Sequence, residues 1–156
     1  MQANWLDENG PNGLGAAIAP EALNQQGIPY EASEPRAASY QSVLDRYMSE
    51  RGYVTQDEVA LSPATPNLEA LCDKFKGEHF HDDDEVRFVL EGAGVFDIRS
   101  LDDRWMRVRV EPGDLIIVPA GRFHRFFLTE EKQIHCVRLF KDSAGWIAKY
   151  REERAA

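Results

Sequence analysis

The hydrophobic period of this chain changes once, near residue 78, and that change limits the fold more than any other feature. Before it, apolar residues recur at helical spacing: Tyr40, Val43, Leu44, Tyr47 and Met48 share one helix face, and Gly52 follows as a stop. After it come EVRFVLEG, GVFDIRS, WMRVRVE, DLIIVPAG, FHRFFLTE and IHCVRLFK. These segments are short, rich in β-branched and aromatic residues, and divided by Gly, Pro, Asp or Glu turns. Alternation is plainest in WMRVRV, where Met106, Val108 and Val110 face one way and Trp105, Arg107 and Arg109 the other. Short strands in succession at this spacing predict an antiparallel sandwich or barrel, with the helices ahead of it in the chain.

The upstream part is finer-grained. APEALNQQG predicts a short helix with Pro20 at its start and Gly27 after its end, and IPYEAS a short edge strand. A further helix has Thr65 as N-cap, Pro66 at its first position, and Leu68, Leu71, Cys72 and Phe75 on one face. Thr55 and Glu58 have capping-box spacing and predict a helical turn there. The 156 residues suit one domain. Residues 1–76 form its helical and loop N-terminal part, 77–141 its barrel strands, and 142–156 a C-terminal segment.

Charge and cysteine usage narrow the partners. A formal charge of −9 offers no basic surface for nucleic acid or anionic membrane. No stretch approaches the roughly 18 apolar residues of a membrane helix, and MQANWLDENG lacks the basic and apolar parts of a signal peptide. The two cysteines, Cys72 and Cys136, sit in no CxxC spacing and read as reduced packing thiols of a cytoplasmic protein.

Chemistry concentrates in GEHFHDDDE, residues 77–85. Read alone, this is either a metal site or a solvated acidic loop carrying two histidines. Of the four histidines in the chain, His79 and His81 have strand parity and so face the same way. Glu85 shares that parity and can return to them after a turn at Asp82–Asp84. His124 lies on a later strand with Phe126 following on the same face. Inside a small barrel, side chains from several strands meet at the axis, so three imidazoles and one carboxylate can converge on a divalent first-row metal. His135 matches no motif, and Asp82 and Asp83 read as a solvated turn.

Written out, the chain gives His–x–His–xxx–Glu–x6–Gly at 79–92 and Gly–x5–Pro–x–Gly–xx–His at 113–124. In this order the two patterns resemble the signature motifs of the cupin superfamily. They depart from it at Asp73 and Leu128, where a Gly and an Asn are usual; neither is a ligand position. The resemblance implies a mainly β fold, a cupin-type antiparallel β-barrel or jelly roll, with a few N-terminal helices packed outside.

A narrower resemblance rests on EHFHDDDEVRFVLEGAGVFDIRSLDDRWMRV, PGDLIIVPAGRFHRFFLTEE and VRLFKDSAGWIA, together with WLDE, GIPY and the helix around Leu44. These are similar to the acireductone dioxygenases, oxygen-dependent enzymes of methionine salvage, over nearly the whole chain to about Tyr150. The resemblance implies one Fe(II) or Ni(II) per chain held by His79, His81, Glu85 and His124. It implies that Arg87 holds the substrate's enolate oxygen, that Phe75, Phe126 and Trp146 line the substrate pocket, and that Asp84 stands beside the site. The substrate so implied is 1,2-dihydroxy-3-keto-5-methylthiopentene. With iron and O2 it gives formate and 2-keto-4-methylthiobutyrate; with nickel it gives formate, carbon monoxide and methylthiopropionate. A monomer is the default assembly, and cytoplasmic residence extends to the nucleus for eukaryotic relatives.

The ligand residues alone leave two other readings open. One is another metal-dependent cupin enzyme, an isomerase or decarboxylase, opposed by Arg87 and the GWIA segment. The other is a non-catalytic cupin module for ligand binding, which has no need of four converging ligands.

Overall fold

The computed structural model describes residues 1–141 and 147–151. The chain opens with β1 (Gln2–Leu6) and β2 (Leu14–Ala17), which pair as an antiparallel hairpin. Then follow α1 (Pro20–Gln25), β3 (Tyr30–Ala32), α2 (Ala37–Arg51), β4 (Thr55–Leu61) and α3 (Leu68–Lys76). The strands of the second half are β5 (His79–Phe80), β6 (Glu85–Gly92), β7 (Gly94–Arg99), β8 (Trp105–Val110), β9 (Asp114–Val118), β10 (His124–Leu128) and β11 (Ile134–Phe140). The described residues end with β12 (Lys149–Tyr150).

Two antiparallel sheets result, in the orders β12-β5-β10-β7-β8-β1-β2 and β3-β9-β6-β11-β4. Their apolar faces meet in one core that takes Phe96, Ile98, Met106 and Val108 from one sheet and Val89, Ile116, Val118 and Cys136 from the other. This is the expected mainly β, jelly-roll architecture with helices added. The expected alternation in WMRVRV holds: Met106, Val108 and Val110 are buried, while the residues between them are partly exposed.

The five-stranded sheet is covered on its outer face as well. Helix α2 lays Tyr40, Leu44 and Tyr47 over Val86, Phe88, Leu115, Ile117, Val137 and Leu139. Burial on both faces explains why DLIIV reads as a continuous apolar run rather than an alternating one. Leu44 is fully buried in that second layer. Leu44→Ala is expected to cost about 2–5 kcal/mol of stability, lowering the midpoint of thermal unfolding by roughly 5–15 °C. A midpoint within about 2 °C of wild type would show that α2 is not a structural layer.

Three local expectations give way. Residues 55–61, expected to start a helical turn, form β4, paired with β11 from Thr55↔Phe140 to Leu61↔Ile134. The open edge of β11 supplies a full ladder of backbone partners, which outweighs one capping-box spacing. The helix expected from Thr65 starts at Leu68, because the Thr65 hydroxyl accepts from the Ser62 amide in the preceding turn (2.9 Å). Residues 1–76, expected as helices and loops with one edge strand, supply four strands, β1 to β4, to the two sheets.

Two turns hold the strands that matter for the site. Gly92 closes β6 at φ +75, and a β-carbon there would sit 2.1 Å from the Gln133 carbonyl oxygen. Gly121, at φ +77 in the turn before β10, donates its amide to the His81 carbonyl (2.8 Å). The second contact ties the loop that leads to His124 directly to the segment carrying His79 and His81.

Candidate metal centre

Two of the three motif histidines lie on one sheet, and the third follows one of its strands. His79 opens β5 and His124 opens β10, and the two are direct partners across that antiparallel pair. Their ring centroids lie 4.5 Å apart, and His81, just past β5, lies 5.1 Å from one and 5.2 Å from the other. Their ligand nitrogens all fall within 4.8 Å of one another, and all three residues are buried. Glu85 comes from the opposite sheet. The Asp82–Asp84 turn crosses between sheets and starts β6 with Glu85 facing the histidines, Oε2 at 3.2 Å from His124 Nε2 and Oε1 at 3.7 Å from His81 Nε2.

Each imidazole is oriented from behind. The Nδ1 atoms of His79, His81 and His124 lie 2.6, 3.0 and 3.0 Å from the carbonyl oxygens of Gly77, Ile147 and Arg122. A carbonyl accepts only, so each Nδ1 carries the proton and each Nε2 turns a lone pair inward. His124 Nε2 and Glu85 Oε2 are buried without a hydrogen-bond partner among the described residues, although they face each other. Two acceptors at that separation repel unless a cation stands between them, so this donor set fits a divalent ion better than it fits the protein alone.

The electrostatics agree. Burial alone would push the Glu85 carboxyl up, but the Arg87 guanidinium and contacts with His124 and His81 hold it well below the usual carboxylate range. Burial, with His124 beside it, lowers His79 to about 4. For His81 burial also acts downward, but Glu85 outweighs it and leaves the imidazole raised.

Arg87 follows Glu85 on the same face of β6, with Nη2 3.4 Å from Glu85 Oε1 and its guanidinium 5.6 Å over the Phe126 ring. A cavity of about 330 Å3 is lined by the three histidines, Glu85 and Arg87, and by Val59, Leu61, Leu71, Phe75 and Phe126. Phe75 and Phe126 meet edge to face at 6.0 Å. The geometry thus brings Phe75, Phe126 and Arg87 to the same cavity as the four expected ligands. Trp146 lies outside the described residues.

Asp84 does not line the cavity. It accepts from the Tyr53 hydroxyl (2.7 Å) and the Ala120 amide (2.9 Å), and so pins the turn before Glu85 to the loop before His124. Asp82 pairs with Lys149 at 2.7 Å, and His135 with Glu58 at 2.8 Å, away from the centre.

Several contributors left no mark in the sequence pattern. Val59 and Leu61 reach the cavity from β4, the segment expected to be helical. Lys74, Arg138 and Tyr150 also line it. Tyr150 stacks 5.6 Å from His79 and donates its hydroxyl to the Lys74 carbonyl (3.2 Å). None of these follows a spacing rule, because each is placed by a strand pairing or a helix dock remote in sequence.

Known proteins resemble the chain along its whole length. Residues 12–148 match the ARD/ARD' family. A protein of Heterostelium pallidum called acireductone dioxygenase is 54% identical over 154 residues, covering 99% of this chain and 100% of that protein. One of Dictyostelium discoideum with the same name is 43% identical over 130 residues, covering 83% and 88%. Among solved structures, acireductone dioxygenase from Bacillus anthracis with a cadmium ion in its active centre superposes with a TM-score of 0.85 at 30% identity, covering 96% of this chain and 97% of the other.

Proposed function

Because the chain belongs to the ARD/ARD' family, we propose that it is an acireductone dioxygenase of methionine salvage. It cleaves 1,2-dihydroxy-3-keto-5-methylthiopentene with O2 at a centre held by His79, His81, Glu85 and His124. The observation that carries this reading is the inward-facing set of buried acceptors, His124 Nε2 opposite Glu85 Oε2 at 3.2 Å, completed by two further imidazoles.

A divalent ion held by His79, His81, Glu85 and His124 would supply Lewis acidity to the enediolate. Everything else is work for the chain. Three neutral imidazoles and one carboxylate bring a single negative charge, leaving a dication with net +1 to attract the substrate anion. The carbonyls of Gly77, Ile147 and Arg122 fix the ring orientations in advance. Arg87 places a fixed positive charge beside Glu85 and can hold an enolate oxygen as negative charge moves through the substrate. Phe75 and Phe126, with Val59, Leu61 and Leu71, give the methylthio tail an apolar wall and exclude water from it. All four donors belong to one chain, so one ion per monomer is the functional unit.

The ion is Fe(II) or Ni(II), and the two are told apart by products. The test incubates protein loaded with each metal with acireductone in air, following enediol absorbance, formate and carbon monoxide. The expected result is O2-dependent loss of substrate with formate in both forms, 2-keto-4-methylthiobutyrate with iron, and carbon monoxide with methylthiopropionate with nickel. Substrate loss no faster than in protein-free buffer, with either metal, would overturn the assignment.

A further inference from the structure

The cavity that holds the candidate centre differs in charge from the chain around it. Its lining includes three cations, Lys74, Arg87 and Arg138, and one carboxylate, Glu85, which sum to +2 with the histidines neutral. The whole chain carries −9. An anionic enediolate approaching from a distance is therefore repelled by the molecule and attracted only by the cavity.

The three cations are not equivalent. Arg87 lies against Glu85 at 3.4 Å, and Arg138 is paired with Asp57 at 2.6 Å. Both are only partly exposed. Lys74 is exposed and makes no ion pair among the described residues; its neighbour Asp73 turns to Lys76 at 3.8 Å. The position of Lys74 is nonetheless fixed. It sits on α3 between Leu71 and Phe75, which line the cavity, and its carbonyl accepts the Tyr150 hydroxyl. An exposed, unpaired ammonium on a pinned helix turn at the edge of a cationic cavity is placed to act on an incoming anion through its field.

Resting on the acireductone reading, we propose that Lys74 is the steering cation of this site, drawing the enediolate into the cavity against the repulsion of the chain as a whole. A low-dielectric cleft lined by one sign of charge focuses its field outward, and such fields change association rates by about 10–10³-fold. One surface charge accounts for a part of that range. Lys74 need not touch the reacting atoms, so its effect belongs in substrate capture and not in turnover of bound substrate.

The test measures kcat and KM for wild type, Lys74→Glu and Lys74→Arg with equal metal loading, from roughly 10 mM to 1 M salt, over which the screening length falls from about 30 to about 3 Å. Wild-type kcat/KM should fall as salt rises, the signature of attraction despite the net negative charge. In Lys74→Glu, kcat/KM should be about five- to tenfold lower at low salt, kcat should change less than twofold, and the difference should close at high salt. Lys74→Arg should match wild type. Equal kcat/KM for Lys74→Glu and wild type at low salt would overturn the proposal, as would a wild-type value that rises with salt. So would a Lys74→Glu defect in kcat, or one that persists unscreened at 1 M. If wild type itself does not consume acireductone, the functional assignment fails first, and the steering role with it.

Discussion

Replacing His124 with alanine is expected to abolish metal retention and reduce acireductone turnover at least about 10³-fold, since losing even an outer partner of a metal ligand costs 10–100-fold in affinity or activity. His124 is 1% exposed, and its Nε2 has no hydrogen-bond partner among the described residues, which leaves its lone pair for an ion. Without the ion, the variant should be only moderately less stable than ion-free wild type. Besides the Nδ1–H bond to the Arg122 carbonyl, about 1 kcal/mol, it loses the packing of a buried side chain, about 2–5 kcal/mol for a truncation of that size. The sharp contrast lies in the response to metal. An ion present at a hundred times its dissociation constant stabilises the native state by about 2.7 kcal/mol, so added metal should raise the wild-type unfolding midpoint and leave that of His124→Ala unchanged. Metal analysis and thermal unfolding with and without added ion check both parts. One ion per chain with full activity in the variant would remove His124 from the ligand set.

Arg87→Ala is expected to keep the ion near neutral pH and lose turnover. Removing one fixed charge aimed at a developing anion costs about 10²–10³-fold, or 2.7–4 kcal/mol, in comparable sites. Arg87→Lys should recover part of the loss, because a point charge replaces a planar fork. A second consequence concerns pH. The Glu85 carboxyl is held well below its ordinary range although burial pushes it up, and Arg87 is the foremost of the groups that lower it. A ligand with a depressed value stays ionised as pH falls until that low value is reached. Without Arg87 the value rises, so in the metal-free protein Glu85 takes up its proton at a higher pH on acidification. Carboxyl protonation followed by infrared spectroscopy of the metal-free protein from neutral pH downward should show an upward-shifted midpoint for Glu85. Unchanged kinetics and an unchanged midpoint would leave Arg87 as a packing residue over Phe126.

Much of this was legible before any coordinates. The segments predicted as strands after residue 78 correspond to β6 through β11, because short β-branched runs between turn residues have few other ways to bury their apolar faces. Helices α1 and α2 also stand close to where Pro20 and Gly52 place them. The candidate ligands were legible for a related reason. Metal chemistry needs particular side chains at particular strand parity, and His79, His81 and Glu85 announce it locally.

Local signals failed where a distant partner decided the outcome. Thr55 and Glu58 have the spacing of a helix start, yet the exposed edge of β11 claimed the segment as β4 and so brought Val59 and Leu61 to the cavity. The acidic run after His81 reads as one block, but its members separated. Asp82 faces Lys149, Asp84 braces the Ala120 loop, and only Glu85 turns inward.

By itself the sequence determined the inventory of this protein: strand-forming segments, the parity of its histidines, and a donor set suited to one divalent ion. The tertiary structure decided the assembly. It put His79 and His124 on one sheet, with His81 just past its strand β5, and Glu85 and Arg87 on the other, and supplied carbonyls from Gly77, Ile147 and Arg122 to fix the ring tautomers. It also left Lys74 at the edge of a cationic cavity with no ion pair among the described residues. The physical reason is that side-chain type and alternation are properties of neighbouring residues, whereas convergence, burial and field depend on which distant strands lie face to face.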